Sequence, residues 1–353
     1  MFMKKIRIVA VIVLCLAGTA AATAASLVIG QNREAPAVSS AVSADYDRSA
    51  NEKLKELIAV NPDLLLSATA EGTIVVYSYD LVELYRFKSP LGSEIHSIAV
   101  SPDGSSFVCG DRDGSAVFWN IRDSVVMMLD KCHKDDIRDI KFSADGAYFA
   151  TASKDRSVKV WKTQDLTSVA ILKGHSSYVT GIDFSPTANR LASVGVDNKL
   201  IIWDYITGKK IAEKNNSHYR AVNQVRYTHD GKQLVTASAD KMIKVWDAEK
   251  LETLRTIKEH KNEVLAISCS ADDSVILSAG RDNLLYLYDA ASGVKTNDIK
   301  LNNNIYVAGI ILSPEGSHLF VADKSGEITS VDMNERRMIK SVAGEALTAV
   351  GIF

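Results

Sequence analysis

Short apolar runs alternate with clusters of Gly, Pro, Asp, Asn and Ser from about residue 62 to the C-terminus. That alternation predicts β-strands joined by tight turns. The stretch opened by Gly174-His175 shows the unit most clearly. Val179, Ile182 and Phe184 mark a first strand, and Ser185-Pro186-Thr187-Ala188 turns the chain. Arg190 to Ser193 forms a second strand, Asp197-Asn198 a tight turn, and Leu200 to Trp203 a third strand. After Thr207-Gly208 comes a fourth, more polar strand from Lys210 to Glu213.

The unit repeats. Its third strand ends on Tyr77, Trp119, Trp161, Trp203, Trp246, Tyr288 and Val331, at spacings of 42 or 43 residues. Asp follows the anchor at Asp204, Asp247, Asp289 and Asp332. Before each anchor stands a tight-turn residue: Glu71, Asp113, Asp155, Asp197, Asp240, Asp282 and Ser325. The first turn recurs as Ser101-Pro102-Asp103-Gly104, Ser143-Ala144-Asp145-Gly146, Thr228-His229-Asp230-Gly231, Ser270-Ala271-Asp272-Asp273 and Ser313-Pro314-Glu315-Gly316. Pro at the second position and Gly at the fourth suit a type I turn. A period of this length means one supersecondary unit copied around a ring, here a four-stranded antiparallel blade. The expected fold is all-β, a seven-bladed propeller over residues 62–353.

The first blade lacks an innermost strand of its own. Lys53 to Val60 carries Lys55 and Glu56, with Leu54, Leu57 and Ile58 at helical spacing behind a capping box, Ser49-Ala50-Asn51-Glu52. It reads as a short helix around 50–59. Leu347-Thr348-Ala349-Val350-Gly351-Ile352-Phe353 is similar to the innermost strand Val179-Thr180-Gly181-Ile182. The C-terminal segment is therefore expected to complete the first blade, which hides two sheet edges. The competing arrangement uses residues 54–60 as that strand.

Residues 1–25 are built differently. Lys4, Lys5 and Arg7 precede an apolar run from Ile8 to Ala17, followed by small residues that include Ala22-Thr23-Ala24. This is the order of a secretory signal peptide, with cleavage expected near Ala24 or Ala25. The alternative is an uncleaved membrane anchor through residues 8–30, which hold no charge and are long enough to span a bilayer. Both place the folded domain outside the cytoplasm, because the positive charges stay inside. Residues 26–61 read as a flexible tether, Ala- and Ser-rich over 31–48, ending in the short helix.

The blades resemble those of the WD-repeat (WD40) β-propeller family over roughly residues 62–353. In that family a His, a strand hydroxyl, the turn Asp and the Trp form a buried hydrogen-bonded tetrad. The resemblance implies complete tetrads at His133–Thr151–Asp155–Trp161, His175–Ser193–Asp197–Trp203 and His218–Thr236–Asp240–Trp246. A fourth, His260–Ser278–Asp282–Tyr288, has Tyr for Trp. The other blades depart: Leu91 and Cys109 break the second, Glu71 and Tyr77 alter the first, and the last has Val321, Ser325 and Val331.

Composition excludes several classes. The net charge of −2 provides no basic field for nucleic acid. Cys109, Cys132 and Cys269 are an odd set without tight spacing, so neither a disulfide framework nor a zinc site is expected. No G-x-S-x-G, H-E-x-x-H, C-x-x-C or P-loop pattern occurs. No catalytic residues, metal or cofactor are therefore expected. A channel enzyme, the competing class, would have only His96 and Glu94 to draw on. The expected role is a non-catalytic protein-binding scaffold, monomeric on its own. An envelope assembly or sensor protein is the alternative.

Loops held by a rigid ring suit recognition. The resemblance implies docking on the face that carries the tight turns and the entrances to the innermost strands. Residues three and five after the opening His, and one before the turn Asp, belong there. The candidate partner-binding set is Glu94, His96 and Arg112; Asp136, Arg138 and Lys154; Tyr178 and Thr180; Asn223; Glu263 and Arg281; and Tyr306 and Lys324. Its cations outnumber its acids, which suggests a mouth for an acidic or polar peptide with an aromatic shelf.

Overall fold

A computed structural model describes residues 9–11, 48–61, 63–301, 307–313, 315–324, 326–343 and 347–352. Seven antiparallel sheets follow one another around a ring. The fourth blade has the strands Val179–Phe184, Arg190–Gly195, Leu200–Asp204 and Lys209–Lys214, numbered outward from the channel. Its third strand is buried almost throughout and its fourth is largely exposed, which is why the fourth reads as polar here.

The tight turn between second and third strands has a physical signature. The residue after each turn position is left-handed: Gly72, Gly114, Arg156, Asn198, Lys241, Asn283 and Gly326, with φ between 60° and 96°. Glycine meets this at no steric cost, and Asn at little. Arg156 and Lys241 hold the conformation only because the strands on both sides dictate it.

Ring closure follows the C-terminal reading. Leu347–Ile352 pairs antiparallel with Leu64–Thr69, which continues to Thr73–Ser78 and Glu83–Lys88. Residues 54–60 are not a strand; they belong to the helix Arg48–Val60. Leu54 is fully buried, and Leu57 and Ile58 pack beside it against the first two blades. Glu52 accepts a hydrogen bond from Ser124 Oγ at 2.6 Å, fastening the helix to the second blade. One element was not foreseen. Val9–Val11 lies antiparallel to Leu347–Ile352, on the channel side of the closing strand. The proposed cleavage site at Ala24 and Ala25, the tether and Tyr306 lie outside the described residues.

Innermost strands present one unpaired edge to the next blade. Side chains of the preceding blade satisfy several of those groups. Asp139 Oδ2 accepts Ile182 N at 2.9 Å, and Gln224 Oε1 accepts Ile267 N at 2.7 Å. Ser97 Oγ donates to Ile137 O at 3.3 Å, and Asn223 Nδ2 donates to Val264 O at 2.7 Å. With Thr180 Oγ1 donating to Val222 O between the fourth and fifth, blades two to six are clasped in sequence around the channel.

Candidate functional site

The tetrads form as the register requires. In the third blade, Trp161 Nε1 donates to Thr151 Oγ1 at 3.1 Å, His133 Nε2 meets the same hydroxyl at 2.7 Å, and His133 Nδ1 lies 2.9 Å from Asp155 Oδ2. The fourth and fifth blades repeat this at His175–Ser193–Asp197–Trp203 and His218–Thr236–Asp240–Trp246. An indole N–H can only donate. The hydroxyl therefore accepts from Trp and gives its own hydrogen to Nε2, leaving Nδ1–H for the carboxylate. Burial pushes the His133 and His218 imidazoles down, against the pull of Asp155 and Asp240, and favours this neutral tautomer. In the sixth blade His260 bridges Ser278 and Asp282, and fully buried Tyr288 replaces Trp.

The second blade solves the same packing problem without polarity. Trp119 stacks on Phe107 at 5.3 Å and meets Phe87 edge-on at 5.1 Å. Cys109 and Leu91 fill the places of hydroxyl and His. Trp119 Nε1 is buried without a hydrogen-bond partner, and Asp113 turns outward to Lys131.

Above the tetrads lie the mouth residues. The two sequence offsets meet through one recurring backbone hydrogen bond: Arg112 N to Glu94 O, Lys154 N to Asp136 O, Val196 N to Tyr178 O, Ala239 N to Ala221 O, and Arg281 N to Glu263 O. That bond places both side chains on the rim. Where the two are charged, they pair. Lys154 Nζ lies 2.7 Å from Asp136 Oδ2, Arg281 Nη1 lies 3.1 Å from Glu263 Oε2, and Arg112 Nη1 lies 3.9 Å from Glu94 Oε2.

Asp136 is the hub. Its carboxylate, only 1% exposed, also accepts from His96 Nδ1 at 2.6 Å and Arg138 Nη1 at 3.0 Å. Burial raises this carboxyl, but His96, Arg138 and Lys154 outweigh burial and hold it at about 2. His96 Nε2 lies 3.2 Å from Glu94 Oε2 on its other side. Each acid of the set is thus met by cations of the same set. Four of the five cations counted along the chain are held in ion pairs with the three acids.

The other candidates divide. Tyr178 is 46% exposed, and Lys154 Nζ stands 6.0 Å from its ring centre. Lys324 lies half-buried in the turn after His318–Asp323. Thr180 and Asn223 correct the sequence reading. Both are buried, and both spend their polar groups on the neighbouring blade, at Val222 O and Val264 O. They hold the ring rather than face a partner. One residue of this face was missed: Tyr219, directly after the tetrad His218, is 82% exposed, with Lys244 Nζ 5.8 Å from its ring centre. An aromatic beside a structural His was the available signal. Among the described residues, no group of His, Cys, Asp and Glu is placed to hold a metal ion.

Four-stranded blades tied by His–Ser/Thr–Asp–Trp tetrads define a propeller of the repeat-scaffold class. Five segments, residues 82–120, 125–162, 166–204, 209–247 and 251–289, match the model of the WD domain, G-beta repeat. Together they cover more than half of the chain, which belongs to the WD40-repeat family. It is similar to WD repeat-containing protein 1 of Gallus gallus, 32% identical over 122 residues, covering 34% of this chain and 20% of that protein. It is also similar to the WD repeat domain-containing protein 83 homolog of Dictyostelium discoideum, 37% identical over 86 residues, 24% of this chain and 26% of that protein. The chain thus matches only about a fifth to a quarter of these relatives' own length. WD40 propellers generally bind proteins or peptides, so membership of the family supports a protein-interaction scaffold role in general terms.

Proposed function

We propose that this protein is an exported scaffold that holds a polar peptide segment of a partner across the channel mouth, over the third to fifth blades. The observation that carries this reading is the pair of exposed rings, Tyr178 and Tyr219, each beside a lysine on a loop pinned to a tetrad. Tyrosine supplies a rigid amphipathic contact at low entropic cost, and such residues dominate binding energy. The internal pairing of Glu94, Asp136 and Glu263 supports aromatic and hydrogen-bonded recognition over bulk charge attraction. Export rests on Lys4, Lys5 and Arg7 before the apolar run Ile8 to Ala17.

The test is a cross-linking pull-down comparing wild type with the Tyr178→Ala/Tyr219→Ala double variant. Specific partners should fall at least tenfold at unchanged melting temperature. An unchanged partner set refutes the mouth as the docking face. A reporter fused at Phe353 tests export separately and should work only outside the cytoplasm. The second reading, a membrane-anchored assembly or sensor protein, predicts an intact Met1 instead of a mature N-terminus near Ala25.

A further inference from the structure

The net charge of −2 conceals a segregation by face. On the channel-mouth side, just outside the tetrads, the third and fifth blades each carry a cluster of three lysines: Lys134, Lys159 and Lys173, and Lys214, Lys244 and Lys258. Strand register builds both clusters. Lys159 stands opposite Ile171, and Lys244 opposite Thr256. Lys173 and Lys258 come two residues further on, so each lies on the same sheet face as the central lysine, on the diagonal. The central lysine is half-buried in both copies. Lys159 Nζ donates to Cys132 O, and Lys244 Nζ donates to Ser217 O at 2.6 Å. The outer four lysines are exposed. The fourth blade, between the clusters, has Ile201 at the central position, and its Lys199 is paired with Glu213 at 2.7 Å.

Among the described residues no lysine of either cluster forms an ion pair. The acids nearest to Lys159 and Lys244 are the tetrad carboxylates Asp155 and Asp240, one against three cations in each cluster. Those carboxylates are already spent, Asp155 on His133 and Lys134 N, Asp240 on His218 and Tyr219 N. Two exposed acids adjoin the clusters, Asp135 and Glu259, and the exposed Arg156 and Lys241 of the neighbouring turns offset them. The first turns, on the opposite face, carry acids instead, at Asp103, Asp145, Asp230 and Asp272.

We propose that an acidic, extended peptide segment of a partner binds this outer band, its carboxylates on the two lysine clusters and its chain passing Tyr219 and the fourth blade between them. The proposal rests on the reading of this face as the peptide-docking face and adds the chemistry of that peptide. Tyr219 is 82% exposed, and Lys244 Nζ stands 5.8 Å from its ring centre and 5.3 Å from that of Trp246. A Glu or Asp side chain can enter between two exposed lysines to reach the half-buried third. A lipid surface presents its charge in a plane, and a nucleic-acid duplex on a broad cylinder, so either meets the exposed lysines alone.

Fluorescence anisotropy on the full chain tests the proposal, with labelled dodecaglutamate as the probe and dodecaglutamine as its neutral counterpart. Dodecaglutamate should bind saturably, with Kd of about 100 μM or tighter, and dodecaglutamine at least tenfold more weakly. Raising salt from about 50 mM to about 500 mM should weaken binding at least tenfold. The variant Lys134→Gln/Lys173→Gln/Lys214→Gln/Lys258→Gln changes only exposed side chains and should lose at least tenfold at unchanged melting temperature. Either pair alone should lose an intermediate share. Lys162→Gln/Lys250→Gln, on the opposite face, should bind as wild type. Equal binding of the two peptides, wild-type binding by the folded four-lysine variant, or the same loss in Lys162→Gln/Lys250→Gln overturns the proposal. Tighter binding of a short DNA duplex or of phosphatidylglycerol vesicles than of dodecaglutamate, lost in the four-lysine variant, overturns it in favour of a nucleic acid or a lipid surface. The mouth reading fails separately, on an unchanged partner set in Tyr178→Ala/Tyr219→Ala.

Discussion

Removing the Asp240 carboxylate should destabilise the ring by an amount that its contacts allow to be worked out. Asp240 Oδ2 accepts from His218 Nδ1 at 2.9 Å and Tyr219 N at 3.0 Å, and Oδ1 accepts from Met242 N at 3.0 Å. Burial raises this carboxyl, yet His218 and the backbone donors bring it down to about 2 from an ordinary 3.8. That lowering corresponds to roughly 2 kcal/mol once partial solvent screening is allowed for. In Asp240→Ala three donors lose their acceptor, and His218 is buried. The expected cost is about 2–4 kcal/mol. Asp240→Asn should cost about 1–2 kcal/mol, since its one oxygen can serve His218 and Tyr219 only by turning an NH2 onto Met242 N–H. The pH dependence has a definite sign. A folded carboxyl below its unfolded value contributes stability above about pH 4 that is lost as pH falls toward 2. His218 is likewise depressed, so its contribution is complete above about 6.5 and declines as pH falls. Both make the wild type acid-labile. Urea unfolding at pH 7 and pH 5 measures this. A midpoint unchanged in Asp240→Ala, or wild-type stability that rises on acidification from pH 7 to 5, refutes the tetrad account.

Two further predictions test neighbouring parts of the argument. A Cβ on Gly195 would stand 2.4 Å from Tyr178 O, 3.1 Å from Asp197 Oδ1 and 3.2 Å from His175 Nδ1; Gly195→Ala should lower stability by about 2 kcal/mol and weaken partner binding through Tyr178, both read on one purified variant. Trp161→Phe should cost about 1 kcal/mol more than Trp119→Phe, because only Trp161 gives up a hydrogen bond. Equal losses in urea titrations would show that the indole N–H of the tetrad contributes nothing.

The scaffold was legible in the chain because it is built from local, repeated requirements. A left-handed residue after Asp197 and a buried strand ending in Trp203 recur at one spacing, so each copy confirms the register of the others. The tetrads were implied by the family resemblance, and they form in register because His175, Ser193, Asp197 and Trp203 all belong to one repeat. The mouth was only half legible. The offsets pointed to Asp136, Lys154, Glu263 and Arg281 as mouth residues, and the structure places Asp136 buried among them. They could not show that each acid meets its own cation, because whether two rim side chains pair depends on where the backbone aims them.

Thr180 and Asn223 show the same limit from the other side. By offset they belong with Tyr178; in space the curvature of the ring turns them toward the next blade, where the open edge of an innermost strand needs partners. The cavity between the first turns likewise assembles Lys141, Asp183 and Arg226 from three blades, more than forty positions apart in steps. Periodicity along the chain carries what one blade needs to fold: its turns, its buried stripe and its hydrogen-bonded tetrad. Only closure of seven blades into a ring decides which charges cancel, which side chains clasp a neighbour and which, like Tyr178 and Tyr219, remain open to solvent. Those contacts join different repeats, and their geometry is set by the angle between blades rather than by any single blade's sequence.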